Sequence, residues 1–213
     1  MKPLVIAAMV AAATLVHAPA VELPLPPGPF RPAVNGLRLI TADSGNEARY
    51  RVREQLANLD FPNDAVGVTS AVTGTLVIDS SGAILPAESK FTVDLTTLKS
   101  DKSRRDGYIQ RRTLDTARYP SAEFVPARFE GYPARFVAGD SATFKLVGNL
   151  TIHGVTRETT WDVLARATPG GFAGSASTAF RFEDFGMEQP RVAIVLSVKD
   201  SIALEYDFNL VRP

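Results

Sequence analysis

The sequence contains no cysteine. Disulfide bonds, a thiol nucleophile, zinc–cysteine sites and a lipid-modified cysteine are therefore all excluded. Stability must come from a packed core, and a chain of 213 residues is long enough to build one. Histidine is also scarce. Only His153 lies beyond the first 20 residues, so a Ser–His–Asp triad would have to use it.

Neither sign of charge is in excess, because 23 Lys and Arg residues balance 23 Asp and Glu residues. This balance gives no overall attraction to nucleic acid, and we expect no nucleic-acid partner. A glycine-rich phosphate-binding loop is absent too, since the pair Gly170-Gly171 is typical of a hairpin turn. No motif has the spacing of metal ligands. We therefore expect neither a metal site nor a cofactor.

One long apolar run is present, and it lies at the N-terminus. Lys2, the apolar stretch Val5–Val16 and the small residues Ala18–Ala20 form the pattern of a secretory signal. The run is too short for a spanning helix, which favours a cleaved signal over a retained anchor. Residues 1–20 are therefore predicted to be a signal peptide and the protein to be periplasmic or secreted. Residues 21–34 are rich in proline and are predicted to be a linker, which leaves residues 35–213 as one domain.

The clearest structural pattern lies between Ala142 and Trp161. From Phe144 to Ile152 apolar residues occupy every second position except Gly148, with mainly polar residues between them. The alternation stops at His153-Gly154 and then starts again. This pattern predicts two strands, each with one apolar and one wetted face, joined by a tight hairpin. A sheet built from such strands should be antiparallel.

The same alternation recurs along the chain. It predicts further strands at Leu37–Ala42, Arg49–Leu56, Val66–Asp79, Glu88–Leu95, Ala122–Phe129, Phe172–Phe182 and Ser201–Val211. In the third of these, a single core face is predicted to carry Val66, Val68, Val72, Leu76 and Ile78. Ser100–Asp115 instead predicts one short helix, distorted at Gly107.

The fold class that these elements indicate is all-β. Long strands that pair in sequence favour an antiparallel eight-stranded up-and-down barrel, because closure removes exposed strand edges. Eight strands leave an interior that is either filled by side chains or able to hold one small ligand. The alternation of the strands does not decide between these two interiors.

Several short motifs occur in an order that is similar to one known family. They are Phe91–Leu95, Ser100-Asp101, Arg105-Asp106, Tyr119–Phe124, Gly148–Thr156 and Asp184–Gly186. Together they resemble the YceI-like family over about Arg49 to Val211. The resemblance implies a lipocalin-like barrel in a periplasmic or secreted bacterial protein that holds a polyisoprenoid chain. Three features depart from the family. Glu54-Gln55 lies where a histidine-serine pair is usual, Phe182 stands where an arginine is usual, with Arg181 one position earlier, and the segment Met187–Val198 is unlike the common pattern.

The predicted function is accordingly a binding protein rather than an enzyme, serving transport, storage or a stress response, with no catalytic residues. Its ligand is expected to be an isoprenoid or similar lipid, such as a polyprenyl phosphate or an isoprenoid quinone. The residues predicted to contact the tail are Phe91, Val93, Leu95, Phe144, Leu146, Leu150, Trp161, Phe180, Tyr206 and Phe208.

A basic segment suggests where an anionic head group would bind. Lys99–Arg118 carries seven basic and three acidic residues, a local balance of 7 − 3 = +4. Its residues Arg104, Arg105, Arg111 and Arg112 are the head-group candidates. The same segment is also consistent with peripheral contact to an anionic membrane, or with a solvated helix face.

Two other functions remain open on sequence grounds. The first is an isomerase or hydrolase that acts on a lipid in the same cavity and depends on His153. The second is a packed barrel without a ligand that serves as an interaction module. The carboxylates Asp94, Glu183 and Asp184 are a weaker basis for catalysis, because Glu183 and Asp184 would point to opposite faces of a strand.

Overall fold

The computed structural model describes residues 36–57, 61–133, 136–191 and 195–213. The predicted signal peptide and linker therefore lie outside the described residues. In the described ranges, no helix combines the length and the hydropathy needed to cross a bilayer.

The described chain is built mainly from strands, as the alternation predicts. The strands are β1 (Leu37–Thr41), β2 (Glu47–Leu56), β3 (Asn63–Thr69), β4 (Val72–Ile78), β5 (Lys90–Asp94), β6 (Lys99–Ser100), β7 (Ser121–Glu130), β8 (Ser141–Ile152), β9 (Val155–Thr168), β10 (Gly171–Phe180) and β11 (Val195–Val211). The helical elements are α1 (Ser103–Tyr108), a π-helical turn (Ile109–Thr113) and 3-10 turns at Pro86–Glu88, Leu95–Thr97 and Phe182–Phe185.

Eight of these strands close into an antiparallel barrel. Neighbouring strands follow the order β1-β4-β5-β7-β8-β9-β10-β11, and β11 returns to β1 through the partners Ile40 and Val211. The preceding part of β11, from Val195 to Asp207, pairs with β2, which continues the sheet into β3 and β6. The predicted all-β barrel with one short helix is confirmed.

The predicted strand Val66–Asp79 is interrupted in the structure, and part of its predicted core face is wrong. The chain leaves β3 at Thr69 and enters β4 at Val72, three positions later, so the parity of the inward side chains changes across Ser70-Ala71. In β4 the predicted face is buried. In β3, by contrast, Val66 and Val68 lie opposite Arg51 and Arg49, on the outer face of β2.

The predicted helix over Ser100–Asp115 is shorter and is distorted at a different place. Gly107 lies inside the regular α1, and the distortion follows at the π-helical turn. There the amide of Leu114 donates to the carbonyl of Ile109 at 2.8 Å, a bond that spans five residues. The Asp106 side chain ties α1 to β6, because it accepts hydrogen bonds from both the amide and the hydroxyl of Ser100.

The two ends of the barrel differ in character. Strand β7 runs from the end of the barrel that carries α1 to the opposite end, where residues 131–133 and 136–140 lie. We call the first the helical end and the second the aromatic end. At the aromatic end the rings of Phe129, Tyr132, Phe136, Phe144 and Phe172 pack on one another in edge-to-face, stacked and tilted arrangements. At the helical end Phe180 packs on the fully buried Phe185, with ring centroids 4.5 Å apart.

Candidate ligand cavity

The interior of the barrel is hollow. A cavity of about 680 Å³ runs between the two ends, and its wall is overwhelmingly apolar. This volume lies within the range of about 300–1,000 Å³ that is usual for small-molecule sites. The cavity contradicts the filled interior that a ligand-free interaction module requires.

All ten side chains predicted for the ligand tail line this cavity. Their positions follow from strand alternation, which directs every second side chain inward. They are Phe91 and Val93 of β5, Leu95 after it, Phe144, Leu146 and Leu150 of β8, Trp161 of β9, Phe180 of β10, and Tyr206 and Phe208 of β11. Their role in ligand binding stays a prediction.

Other aromatic side chains of the wall were not predicted as tail contacts. Tyr132 and Phe136 come from the segment between β7 and β8, and the Tyr132 ring lies 4.9 Å from that of Phe144. No periodicity applies to such a segment, so alternation could not find them. Alternation failed to identify Phe129 for a different reason. Strand β7 has a register shift between Pro126 and Arg128, and this shift changes which of its residues face inward.

Four tyrosines line the wall, Tyr50, Tyr108, Tyr132 and Tyr206. Burial raises the pKa of Tyr50 and of Tyr132 to about 12 and raises the pKa of Tyr206 further still. The Tyr206 hydroxyl donates to Asn46 Oδ1 at 2.7 Å, and Asn46 is itself held by the carbonyl of Ala42. The phenols of Tyr50, Tyr132 and Tyr206 are therefore uncharged near neutral pH.

A charged pair lies at the helical end of the cavity. The Glu54 carboxylate oxygen Oε1 is 2.7 Å from Arg105 Nη2, and the two side chains are only 8% and 14% exposed, respectively. Arg105 also binds Asp101 and, more weakly, the hydroxyl of Ser100. The Asn63 amide donates to Glu54 Oε1 at 3.3 Å. Both Glu54 and Arg105 line the cavity.

The alternation of β2 explains why Glu54 faces inward. It is in phase with Tyr50 and Val52, which also line the cavity, while Arg51 and Arg53 face outward to Asp64. Sequence reasoning did not select Glu54, although this phase was a usable signal. Its partner could not be identified from the sequence, because Arg105 is 51 positions away.

The four head-group candidates do not form one cluster. Arg104 and Arg105 both line the helical end of the cavity, with Arg104 exposed at its rim. Arg111 and Arg112 are exposed on the π-helical turn and are not part of the cavity wall. One further polar group belongs to this end: the hydroxyl of Thr113 is buried without a hydrogen-bond partner in the described chain.

The residues considered for catalysis have local structural roles. His153 Nδ1 is 3.4 Å from the carbonyl oxygen of Phe185, and the imidazole packs edge to face on Tyr119. His153 is outside the cavity wall. Asp94 accepts from the amide of Thr96, and Asp184 accepts from that of Arg181. Among the residues described, no group of three or more His, Asp or Glu side chains is placed to hold a metal ion.

Comparison with known proteins supports the family resemblance that the order of the sequence motifs indicates. The chain matches the family model described as the YceI-like domain over residues 45–210. It belongs to the YceI-like family. A UPF0312 protein of Pseudomonas putida is 31% identical over 171 residues, which cover 73% of this chain and 84% of that protein.

Solved structures share the fold of this YceI-like chain at low sequence identity. A polyisoprenoid binding domain from Saccharophagus degradans gives a TM-score of 0.62 at 12% identity, covering 82% of this chain and 98% of the domain. BcnA of Burkholderia cenocepacia gives 0.57 at 15% identity, covering 79% and 98%. The YCEI protein of Campylobacter jejuni gives 0.55 at 19% identity, covering 75% and 90%. At these identities the likeness shows the fold.

Proposed function

We propose that this YceI-like protein is a carrier that holds the tail of an isoprenoid or similar lipid inside its barrel. The observation on which this depends is the apolar cavity of about 680 Å³. Each CH₂ group moved from water into such a wall contributes about 0.8 kcal/mol, so a long tail binds tightly with few polar contacts. The Saccharophagus degradans neighbour, which is described as polyisoprenoid binding, supports the same ligand class.

The place of action is proposed on sequence grounds alone. The pattern of residues 1–20 supports export to the periplasm or the medium. N-terminal sequencing of the protein from the periplasmic fraction is expected to begin at Val21. Peripheral contact with a membrane stays a prediction, supported by the exposed Arg104, Arg111 and Arg112 and by the exposed apolar side chains of Phe61 and Leu196.

A pair of substitutions on β10 tests whether the cavity is the binding site. Ala176 is buried in the cavity wall, whereas Ala179, three residues later, is exposed on the outer face. Ala176→Trp places an indole where a ligand tail would lie, and Ala179→Trp adds the same group outside. We expect Ala176→Trp to weaken the binding of tritiated geranylgeraniol at least about tenfold, which is about 1.4 kcal/mol.

Gel filtration of the protein with the labelled alcohol measures this binding, and thermal melting checks that each variant is folded. Ala179→Trp should bind as the parent does. If a folded Ala176→Trp protein retained the parent's affinity, the barrel interior would not be the site.

A further inference from the structure

Glu54 is an unusual residue for the wall of a lipid cavity. A carboxylate with only 8% of its side chain exposed is costly to bury unless its charge is compensated. The compensation reaches one oxygen, since Arg105 and Asn63 both donate to Oε1. Oε2 accepts no hydrogen bond from the described part of the chain. Because Glu54 lines the cavity, Oε2 is the atom left to meet a ligand.

The charges around Arg105 make it a poor partner for an anion. Its guanidinium already binds two carboxylates, those of Glu54 and Asp101. A phosphate that entered the helical end would therefore approach an arginine whose single positive charge is outweighed by the two negative charges of its carboxylate partners. Arg104 and Lys102 also border the cavity, but both are exposed to water and dissolved ions, which screen their charges.

We propose that Glu54 selects the head group: its Oε2 accepts a hydrogen bond from the hydroxyl of an uncharged isoprenoid alcohol or phenol and disfavours a phosphate. This inference rests on the proposed carrier function and names the ligand class for the same cavity. A hydrogen bond to a charged acceptor is among the stronger ones in proteins, and its directionality distinguishes a donor head from an acceptor. The family resemblance does not supply this residue, because Glu54-Gln55 is one of the departures from the usual pattern.

Three ligands with one tail separate the head-group effects. Geranylgeraniol has a hydroxyl donor, its methyl ether has only an acceptor, and geranylgeranyl phosphate is an anion. Trp161 is the single tryptophan of the chain and lines the cavity, so the change in its emission reports binding. For the parent protein we expect the alcohol to bind about tenfold more tightly than either the ether or the phosphate.

Two variants assign the effect to Glu54. Glu54→Gln removes the negative charge, so binding of the phosphate should improve about tenfold relative to the alcohol. Glu54→Leu removes the acceptor, so the alcohol and the ether should bind equally. Glu158→Gln is the control: this glutamate is exposed, pairs with Arg128 and lies outside the cavity wall, and its loss should change none of the three affinities.

The outcomes distinguish this inference from the carrier function. If the parent bound all three ligands equally, or the phosphate most tightly, the role of Glu54 would be overturned while the carrier function stood. If the parent bound none of the three ligands, both the role of Glu54 and the carrier function would be contradicted. The parent series does not depend on a variant, so it remains decisive even if Glu54→Gln does not fold.

Discussion

Tyr50, Tyr132 and Tyr206 are three of the four tyrosines that bring phenol groups into the wall of a mainly apolar cavity. Desolvation opposes the charged phenolate, so the folded protein holds these protons more tightly than the unfolded chain does. Their ordinary pKa is 10.0, and burial raises that of Tyr50 and Tyr132 to about 12. This difference in proton affinity makes the stability of the barrel depend on pH at the alkaline end.

The sign of this dependence follows from linkage. The stabilisation is fully present below about pH 10, where the phenols are protonated in both states, and it is lost as the pH rises towards about 12. We expect Tyr50 and Tyr132 each to account for at most about 3 kcal/mol of the loss in unfolding free energy. Urea unfolding of the parent and of Tyr50→Phe across this pH range measures it. An equally steep loss in Tyr50→Phe would contradict the assignment to Tyr50.

At the scale of single elements, the hairpin between β8 and β9 is the most sharply determined. His153 and Gly154 both have positive φ, 51° and 75°, as the tight turn between two twisted strands requires. An added Cβ at Gly154 would lie 2.6 Å from Cε1 of Tyr119. The turn therefore has both a backbone and a steric need for glycine.

We expect Gly154→Ala to destabilise the protein by about 1 kcal/mol or more, because alanine resists positive φ and the Tyr119 ring must shift. His153→Asn is the comparison, since asparagine adopts this conformation readily and should preserve both the melting temperature and ligand binding. Thermal melting of both variants checks the prediction. A folded His153→Asn protein that had lost ligand binding would show a role for the imidazole beyond the turn.

Period-two alternation was enough to predict the β8–β9 hairpin, the all-β class and the ten cavity residues, because a strand fixes the side of each side chain. It failed where one extra residue changes the parity. At Ser70-Ala71 the predicted face of β3 is reversed, and at Pro126 to Arg128 the register of β7 shifts. The π-helical turn and the contact of Glu54 with Arg105 depend on tertiary packing, which a local pattern does not contain.

At the scale of the whole molecule, a closed sheet replaces the disulfides that the chain lacks. The outer face adds a network in which Arg49 binds Glu47, Glu205 and Asp207, and Arg51 binds Glu205 and Asp64. These pairs join β2 and β3, which continue the sheet beyond the closed barrel, to the barrel strand β11. A barrel with a hollow interior has fewer packing contacts between its side chains than a filled barrel would have. A bound lipid tail would restore those contacts and raise the melting temperature of the carrier.

The central claim, that the hollow barrel is occupied by an isoprenoid tail, is tested most directly by native mass spectrometry of the protein purified from its own host, followed by extraction of any bound lipid. We predict a one-to-one adduct whose lipid is an isoprenoid, and its loss in Ala176→Trp but not in Ala179→Trp. A protein that appears at its unliganded mass and also rejects added geranylgeraniol would contradict the carrier function.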